Sequence, residues 1–217
     1  MIGFKLVIFD NDGVLVDSEP IANRHLAELL GDYGLDIDWY GCVERYLGCT
    51  LGRVRELAES DLGHPIPDDF EARYRASVYP SLASGVEAVA GADAVLHFVA
   101  MQQTAMCVAS SARHERIRLT LDRAGLRRYF EDEWLFSADD VGVGKPAPDL
   151  FLFAAQTLGV DPSTCAVIED SPAGVDAGLA AGMTVFAYSA LTPRHLLEHA
   201  NGAVFDSMAS LPELLKG

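Results

Sequence analysis

The sequence predicts an α/β fold: a Rossmann-like core with a mostly parallel sheet flanked by helices, plus an inserted α-helical cap. Two observations carry this. Short, wholly apolar runs alternate with helix-like segments, as strands do when crossover helices bury them on both faces. One stretch, 16–83, interrupts that alternation with helical patterning alone.

The first run, Lys5-Leu6-Val7-Ile8-Phe9, is β-branched and aromatic and closes on Asp10-Asn11-Asp12-Gly13, a strand followed by a tight loop. Similar runs occupy 105–109, 165–168, 183–187 and, more weakly, 203–205, with a short further candidate at 134–136. Helix-like segments at 115–124, 148–158 and 173–181 fall between most of them. Within 16–83 the patterning marks helices over 19–30, 39–47, 51–62 and 68–79. Gly31-Asp32-Tyr33-Gly34, Gly48 and Gly63-His64-Pro65-Ile66-Pro67 separate them as turns. The expected division is a core of 1–15 and 84–217 and a cap of 16–83, inserted directly after the first strand.

The 217 residues can bury a core with an insertion. A net charge of −16 argues against nucleic acid and anionic membranes as partners, and means that a phosphate site would need local cations. Cys42, Cys49, Cys107 and Cys165 form no Cys-x-x-Cys pair and read as free thiols in a reducing compartment. The first residues lead into a strand without the pattern of a signal peptide, and no run reaches the length of a membrane span. A cytoplasmic monomer is expected.

Two carboxylates at the end of a buried strand need compensation, and a metal ion is the obvious candidate. One intervening residue puts Asp10 and Asp12 on the same side of an extended backbone. Parallel sheets bind ligands beyond the carboxyl ends of their strands. Ser110 and Ser111, and Glu169 and Asp170, also follow strand-like runs. Each group alone has a plainer reading. Asp-Asn-Asp-Gly is a common turn, and Ser110-Ser111 a polar loop. Lys145 before Pro146 can mark a loop leading into a helix, and Glu169-Asp170-Ser171-Pro172 a helix N-terminus.

Taken in order, Asp10 to Glu19, Val108-Ala109-Ser110-Ser111, Gly144-Lys145-Pro146-Ala147-Pro148-Asp149 and Val167 to Gly174 resemble the four motifs of the haloacid-dehalogenase-like hydrolase superfamily. The similarity covers essentially the whole chain. It points to the branch with a helical cap, near sugar-phosphate phosphatases and β-phosphoglucomutase-like proteins. The resemblance implies Asp10 as nucleophile, forming an aspartyl-phosphate, with Asp12 as general acid and then general base. It implies Ser110 and Lys145 as phosphate ligands, with Lys145 also offsetting the charge of the nucleophile. Backbone N–H groups of Asn11, Asp12 and Ser111 would complete the cradle. It further implies Mg²⁺ on oxygen ligands from Asp10, the Asp12 carbonyl and Asp170, with Glu169 ligating directly or through water.

Within that family, Asp12 disfavours dehalogenation, since a halide leaves without a proton. Phosphonate cleavage uses a cap lysine, and 16–83 contains no lysine. The mutase pattern carries a Thr and, four residues on, a His; here the positions hold Ser18 and Ala22. Hydrolysis of a small phosphorylated metabolite, a sugar or sugar-acid phosphate, is therefore expected. A phosphosugar mutase is the alternative, and a non-catalytic phosphometabolite-binding module a minor one. Glu19, Asn23, Thr50 and Arg53 are the expected cap contacts to substrate, although Glu19 and Arg53 would also suit a surface pair. Arg113 suits either substrate binding or a helix start, and Asp17 a structural role at the hinge. His195 and His199, four apart on an expected helix, have the spacing of a zinc pair but no third ligand, and read as a solvated face.

Overall fold

The computed structural model describes residues 1–216. Its centre is a six-stranded, all-parallel sheet of β1 (Leu6–Phe9), β2 (Ala105–Ser110), β3 (Leu135–Ser137), β4 (Cys165–Glu169), β5 (Thr184–Tyr188) and β6 (Ala203–Phe205), in the order β3-β2-β1-β4-β5-β6. All six expected strands exist, displaced by at most a residue or two. β1 lies in the middle, between β2 and β4, and its four residues are fully buried. Side chains alternate across a strand. Val7 and Phe9 therefore join one apolar layer, and Leu6 and Ile8 the other.

Between β1 and β2 come α1 (Glu19–Asp32), α2 (Trp39–Tyr46), α3 (Leu51–Leu62), α4 (Phe70–Gly85) and α5 (Ala92–Met101). The last, a crossover helix capping one face of the sheet, lay outside the sequence reading: it is buried through Val95, Leu96 and Val99 and has few polar residues to show periodicity. α6 (His114–Arg123), α7 (Ala138–Val141), α8 (Asp149–Thr157), α9 (Pro172–Ala180) and α10 (Leu211–Leu214) complete the layers. α4 corrects the expected 68–79. It starts later, and it runs through Pro80 to Gly85. A proline breaks a helix by removing one backbone bond; here burial of Val78 and Leu82 on either side outweighs that loss.

The helical segment joins the core through two strand-like linkers lying side by side. The Asp17 N–H donates to the Glu87 carbonyl (2.9 Å) and the Val89 N–H to the Leu15 carbonyl (2.9 Å). Asp17 thus sits at the crossing, its backbone engaged and its side chain exposed. α4 packs on α6, and the apolar interior of the segment runs continuously into one layer of the core.

The expected helix carrying His195 and His199 does not form. A 3-10 turn covers Arg194–Leu196, and His199 pairs with Asp176 at 3.1 Å, so the two rings share no helix face. Thr192-Pro193 sits where such a helix would begin, and the segment continues directly into β6. All four cysteines are free. No helix among the described residues is long and apolar enough to cross a membrane.

Candidate active site

The order of strands reverses direction between β1 and β4, which opens a crevice at their carboxyl ends. Asp10 follows β1 there, and its N–H is held by the Ile168 carbonyl at 2.9 Å. Asp170 follows β4, and Ser110 ends β2. A cavity of about 430 Å³ lies over these residues, between the core and the helical segment. Asp10, Asp12, Ser110 and Asp170 line its floor, and Glu19, Asn23, Thr50 and Tyr74 line it from the helical side.

Lys145 reaches this floor from below. Its Nζ donates to Asp10 Oδ1 (2.6 Å), to Glu169 Oε1 (2.5 Å) and to the Ala109 carbonyl (3.1 Å), with the side chain 1% exposed. Two buried carboxylates and a carbonyl hold the ammonium charged: burial pulls its pKa down, but Asp10 and Glu169 together push it well up. Burial drives the Asp10 carboxyl upward against the pull of Lys145, and Glu169 and Asp12 add to the rise.

Glu169 is fully engaged. Its second oxygen accepts from the Asp170 N–H (2.9 Å), the Ser171 N–H (3.0 Å) and the Ser171 hydroxyl (2.9 Å). Ser171 also caps α9 by accepting from the Gly174 N–H, with Pro172 in the first turn. The helix-cap reading of this motif is realised through Ser171. Glu169 anchors Lys145 with one oxygen and the loop with the other.

Asp170 differs. Its Oδ2 is buried with no hydrogen-bond partner, and burial, Glu169 and Asp10 all push its carboxyl well above the usual range. A divalent cation between Asp10 and Asp170 would satisfy that oxygen and draw both groups back to the ionised form, so the donor set fits a hard cation. Gly13 makes room for this approach. It has φ +80°, and a Cβ there would overlap the Asp170 carboxylate. Among the described residues no cluster of three or more His, Cys, Asp or Glu side chains is arranged around one point. A cation here would draw on two carboxylates and backbone oxygen.

Asp12 is held on three sides. Its Oδ1 accepts from Ser18 Oγ (2.5 Å) and from Arg116 Nη2 (2.6 Å) and Nε (3.1 Å); its Oδ2 accepts from Asn11 Nδ2 (3.2 Å). Burial would raise its pKa, but Arg116, Ser18 and Asn11 together hold it below the ordinary value. The Asn11 side chain also reaches buried Thr120 (3.0 Å).

Ser110 Oγ accepts from the Ala112 N–H (3.1 Å), and Ser111 Oγ donates to the Gly48 carbonyl (3.0 Å), tying the β2 loop to the α2–α3 turn. Gly48, at φ +79°, sits so close to Ser171 that a Cβ would overlap it. Of the four expected cap contacts, three reach the cavity. Asn23 bonds Glu19 Oε2 (2.5 Å), and Thr50 caps α3 with its methyl against Gly144. Arg53 does not line the cavity; it pairs with Glu56 in solvent, 54% exposed, one turn along α3. The helical face of α3 turns it outward, which its position in sequence beside Thr50 could not reveal. Arg113 lies at the cavity rim, 3.5 Å from Asp139. His114 bonds Asp140 and His25 bonds Ser81, both away from the floor.

Sequence reasoning missed Arg116 and Tyr74. A signal existed for the first: Arg116 precedes Ile117, Thr120 and Leu121 on the buried face of α6. A charge on an apolar helix face asks for a partner.

A strand-end aspartate beside a buried lysine, facing a second aspartate across a parallel-sheet crevice and roofed by inserted helices, defines a class of hydrolase. The chain belongs to the haloacid dehalogenase-like hydrolases, whose sequence profile matches residues 4–182. It is 32% identical to the 6-phosphogluconate phosphatase of Escherichia coli (strain K12) over 213 residues, 98% of this chain and 95% of that protein. It is also 32% identical to fructose-1-phosphate phosphatase YqaB of the same organism over 177 residues, 82% and 92% of the two. Among solved structures, a β-phosphoglucomutase-like protein from Bacteroides vulgatus superposes with a TM-score of 0.81 at 27% identity, covering 99% of this chain and 89% of that one.

Proposed function

We propose that the chain is a magnesium-dependent phosphatase that hydrolyses a small sugar or sugar-acid phosphate through an aspartyl-phosphate on Asp10. One observation carries the reading: the Lys145 ammonium bridges Asp10 and Glu169 beneath a cavity that Ser110 and Asp170 share with Asp10. A carboxylate supported by a buried cation is suited to attack phosphorus, and the same cation offsets the charge of the phosphoryl group it receives.

In this mechanism an Asp10 oxygen bonds to phosphorus as the bond from phosphorus to the sugar oxygen breaks. Asp12, which must take up a proton before this step because Arg116, Ser18 and Asn11 hold it below its ordinary value, gives that proton to the leaving oxygen and returns to the carboxylate that Arg116 and Ser18 hold. Water then attacks the aspartyl-phosphate and yields its proton to Asp12, releasing inorganic phosphate and restoring Asp10. The Ser110 hydroxyl and backbone N–H groups of the two loops hold the transferring oxygens, and the Lys145 charge beneath Asp10 offsets their charge. A magnesium ion would rest on Asp10, Asp170 and the Asp12 carbonyl, and supplies positive charge against the phosphate when bound.

The segment 16–83 acts as the cap. It covers the floor, excludes water when closed and reads the substrate through Glu19, Asn23 and Thr50. The names of the two phosphatase relatives support sugar and sugar-acid phosphates as the class. The likeness to a β-phosphoglucomutase-like structure keeps the mutase as a second reading. Against it, Ala22 stands where the mutase pattern has His, and its carbonyl accepts from the Tyr74 hydroxyl at 3.3 Å.

The test is phosphate release from p-nitrophenyl phosphate and from several dozen phosphorylated metabolites, 6-phosphogluconate and fructose 1-phosphate among them. Release with magnesium and none with EDTA is expected. No release from any ester would end the phosphatase reading. Efficient conversion of β-glucose 1-phosphate to glucose 6-phosphate would replace it with the mutase.

A further inference from the structure

Arg116 is a full charge on the buried face of a core helix, and its side chain is only 13% exposed. Such a charge is costly unless it is paired with good geometry. Its Nε and Nη2 both donate to one atom, Asp12 Oδ1, which also takes the Ser18 hydroxyl. Ser18 directly precedes α1, the first helix of the cap. One turn further along α6, Thr120 holds Asn11, whose amide donates to the other oxygen of Asp12. α6 therefore grips the carboxylate at both ends, directly through Arg116 and indirectly through Thr120. On the cap side the guanidinium also faces Tyr74 of α4 and Glu19 of α1.

From this we infer that Arg116 is the positioning residue for Asp12, fixing its carboxylate at the cavity floor and joining it to the two cap helices that close over it. The inference rests on the phosphatase reading, in which Asp12 moves protons. Proton transfer depends on placement to a fraction of an ångström, and a shift of about 1 Å costs on the order of 10²-fold in rate. Ser18 and Asn11 alone would leave Asp12 without its one charged partner. Arg116 also lines the cavity, so direct binding of a substrate anion is the competing role.

Two aryl esters of similar shape separate these roles. Phenyl phosphate expels a basic phenolate that needs a proton; p-nitrophenyl phosphate expels a stabilised anion that does not. Steady-state and burst kinetics on both, with magnesium, would compare wild type, Arg116→Met, Arg116→Lys, Asp12→Asn and the Asp12→Asn/Arg116→Met double variant. Arg116→Met should lose about 10²-fold in kcat on phenyl phosphate with KM little changed. On p-nitrophenyl phosphate it should show a burst of one nitrophenolate per enzyme, because only the water step is then slowed. Arg116→Lys should recover part of the loss, and the double variant should be no slower than Asp12→Asn alone. Equal losses on both esters without a burst, a raised KM at unchanged kcat, or additive losses in the double variant would each overturn the assignment. If Arg116→Met does not fold, the same cycle is run with Arg116→Lys and is judged by the same outcomes. Wild type inactive on both esters would instead refute the phosphatase reading itself, and this inference with it.

Discussion

Replacing Lys145 by methionine removes one cation from between two buried carboxylates while keeping most of the side chain's volume. Asp10 Oδ1 loses its 2.6 Å partner and Glu169 Oε1 its 2.5 Å partner, whereas Glu169 Oε2 keeps three donors. Breaking a buried ion pair from one side costs about 3–5 kcal/mol, because the remaining charge stays unpaired. For a chain of this size each kcal/mol is worth about 2–4 °C, so the midpoint should fall by roughly 6–20 °C at neutral pH. The sign with pH follows from the shifts. The ammonium of Lys145 is held well above its ordinary value, so its contribution is fully present below about pH 10.5 and constant across the neutral range. In the variant, Asp10, already driven upward by burial, can relieve the loss by taking up a proton. The deficit should therefore shrink as the pH falls toward 4. Thermal unfolding followed by circular dichroism from pH 4 to 8, with EDTA present so that no cation replaces the lysine, measures it. Activity on p-nitrophenyl phosphate with magnesium should fall by on the order of 10³-fold, from loss of the charge that offsets the phosphoryl oxygens. A deficit below about 1 kcal/mol, or one independent of pH, would refute the view that Lys145 neutralises these two carboxylates.

Asp10→Asn should stay folded, since an amide oxygen can still accept from Lys145, yet lose on the order of 10⁴-fold in turnover; near-normal activity in a folded variant would remove Asp10 as nucleophile. Burial first, and then Asp12, push the Glu19 carboxyl up to about 7. Its stabilising share is complete below its ordinary 4.5 and disappears as the pH rises through 7, so wild type should lose stability relative to Glu19→Gln over that window, and a constant difference would contradict the burial. Asn23→Ala, which removes a cavity-lining amide bonded to Glu19, should change the ranking of phosphorylated metabolites, whereas Arg53→Ala should not. A changed ranking in Arg53→Ala would mean that this arginine swings into the closed cavity.

The parallel α/β fold was legible because its strands are short, wholly apolar and separated by helical periodicity, properties that neighbouring residues encode. The motif residues were legible for a related reason. Asp10, Ser110 and Asp170 each end or directly follow a strand, and a parallel sheet gathers those ends at one edge. The helical character of 16–83 was legible from its spacing too, and α1 to α4 form between β1 and β2. What the sequence could not decide was how each polar group is used once the segments meet. Glu169 and Asp170 are adjacent, yet one is bonded at both oxygens by Lys145, backbone N–H groups and Ser171 while the other keeps a buried oxygen without a partner. Thr50 and Arg53 lie three residues apart, yet one faces the cavity and the other solvent. Arg116 stands 104 residues from the carboxylate it holds. Local pattern determines which elements form, because propensity and burial act over neighbouring residues. The partners of a buried charge come from whatever the packing of distant elements brings within 3 Å, and only the tertiary structure settles that.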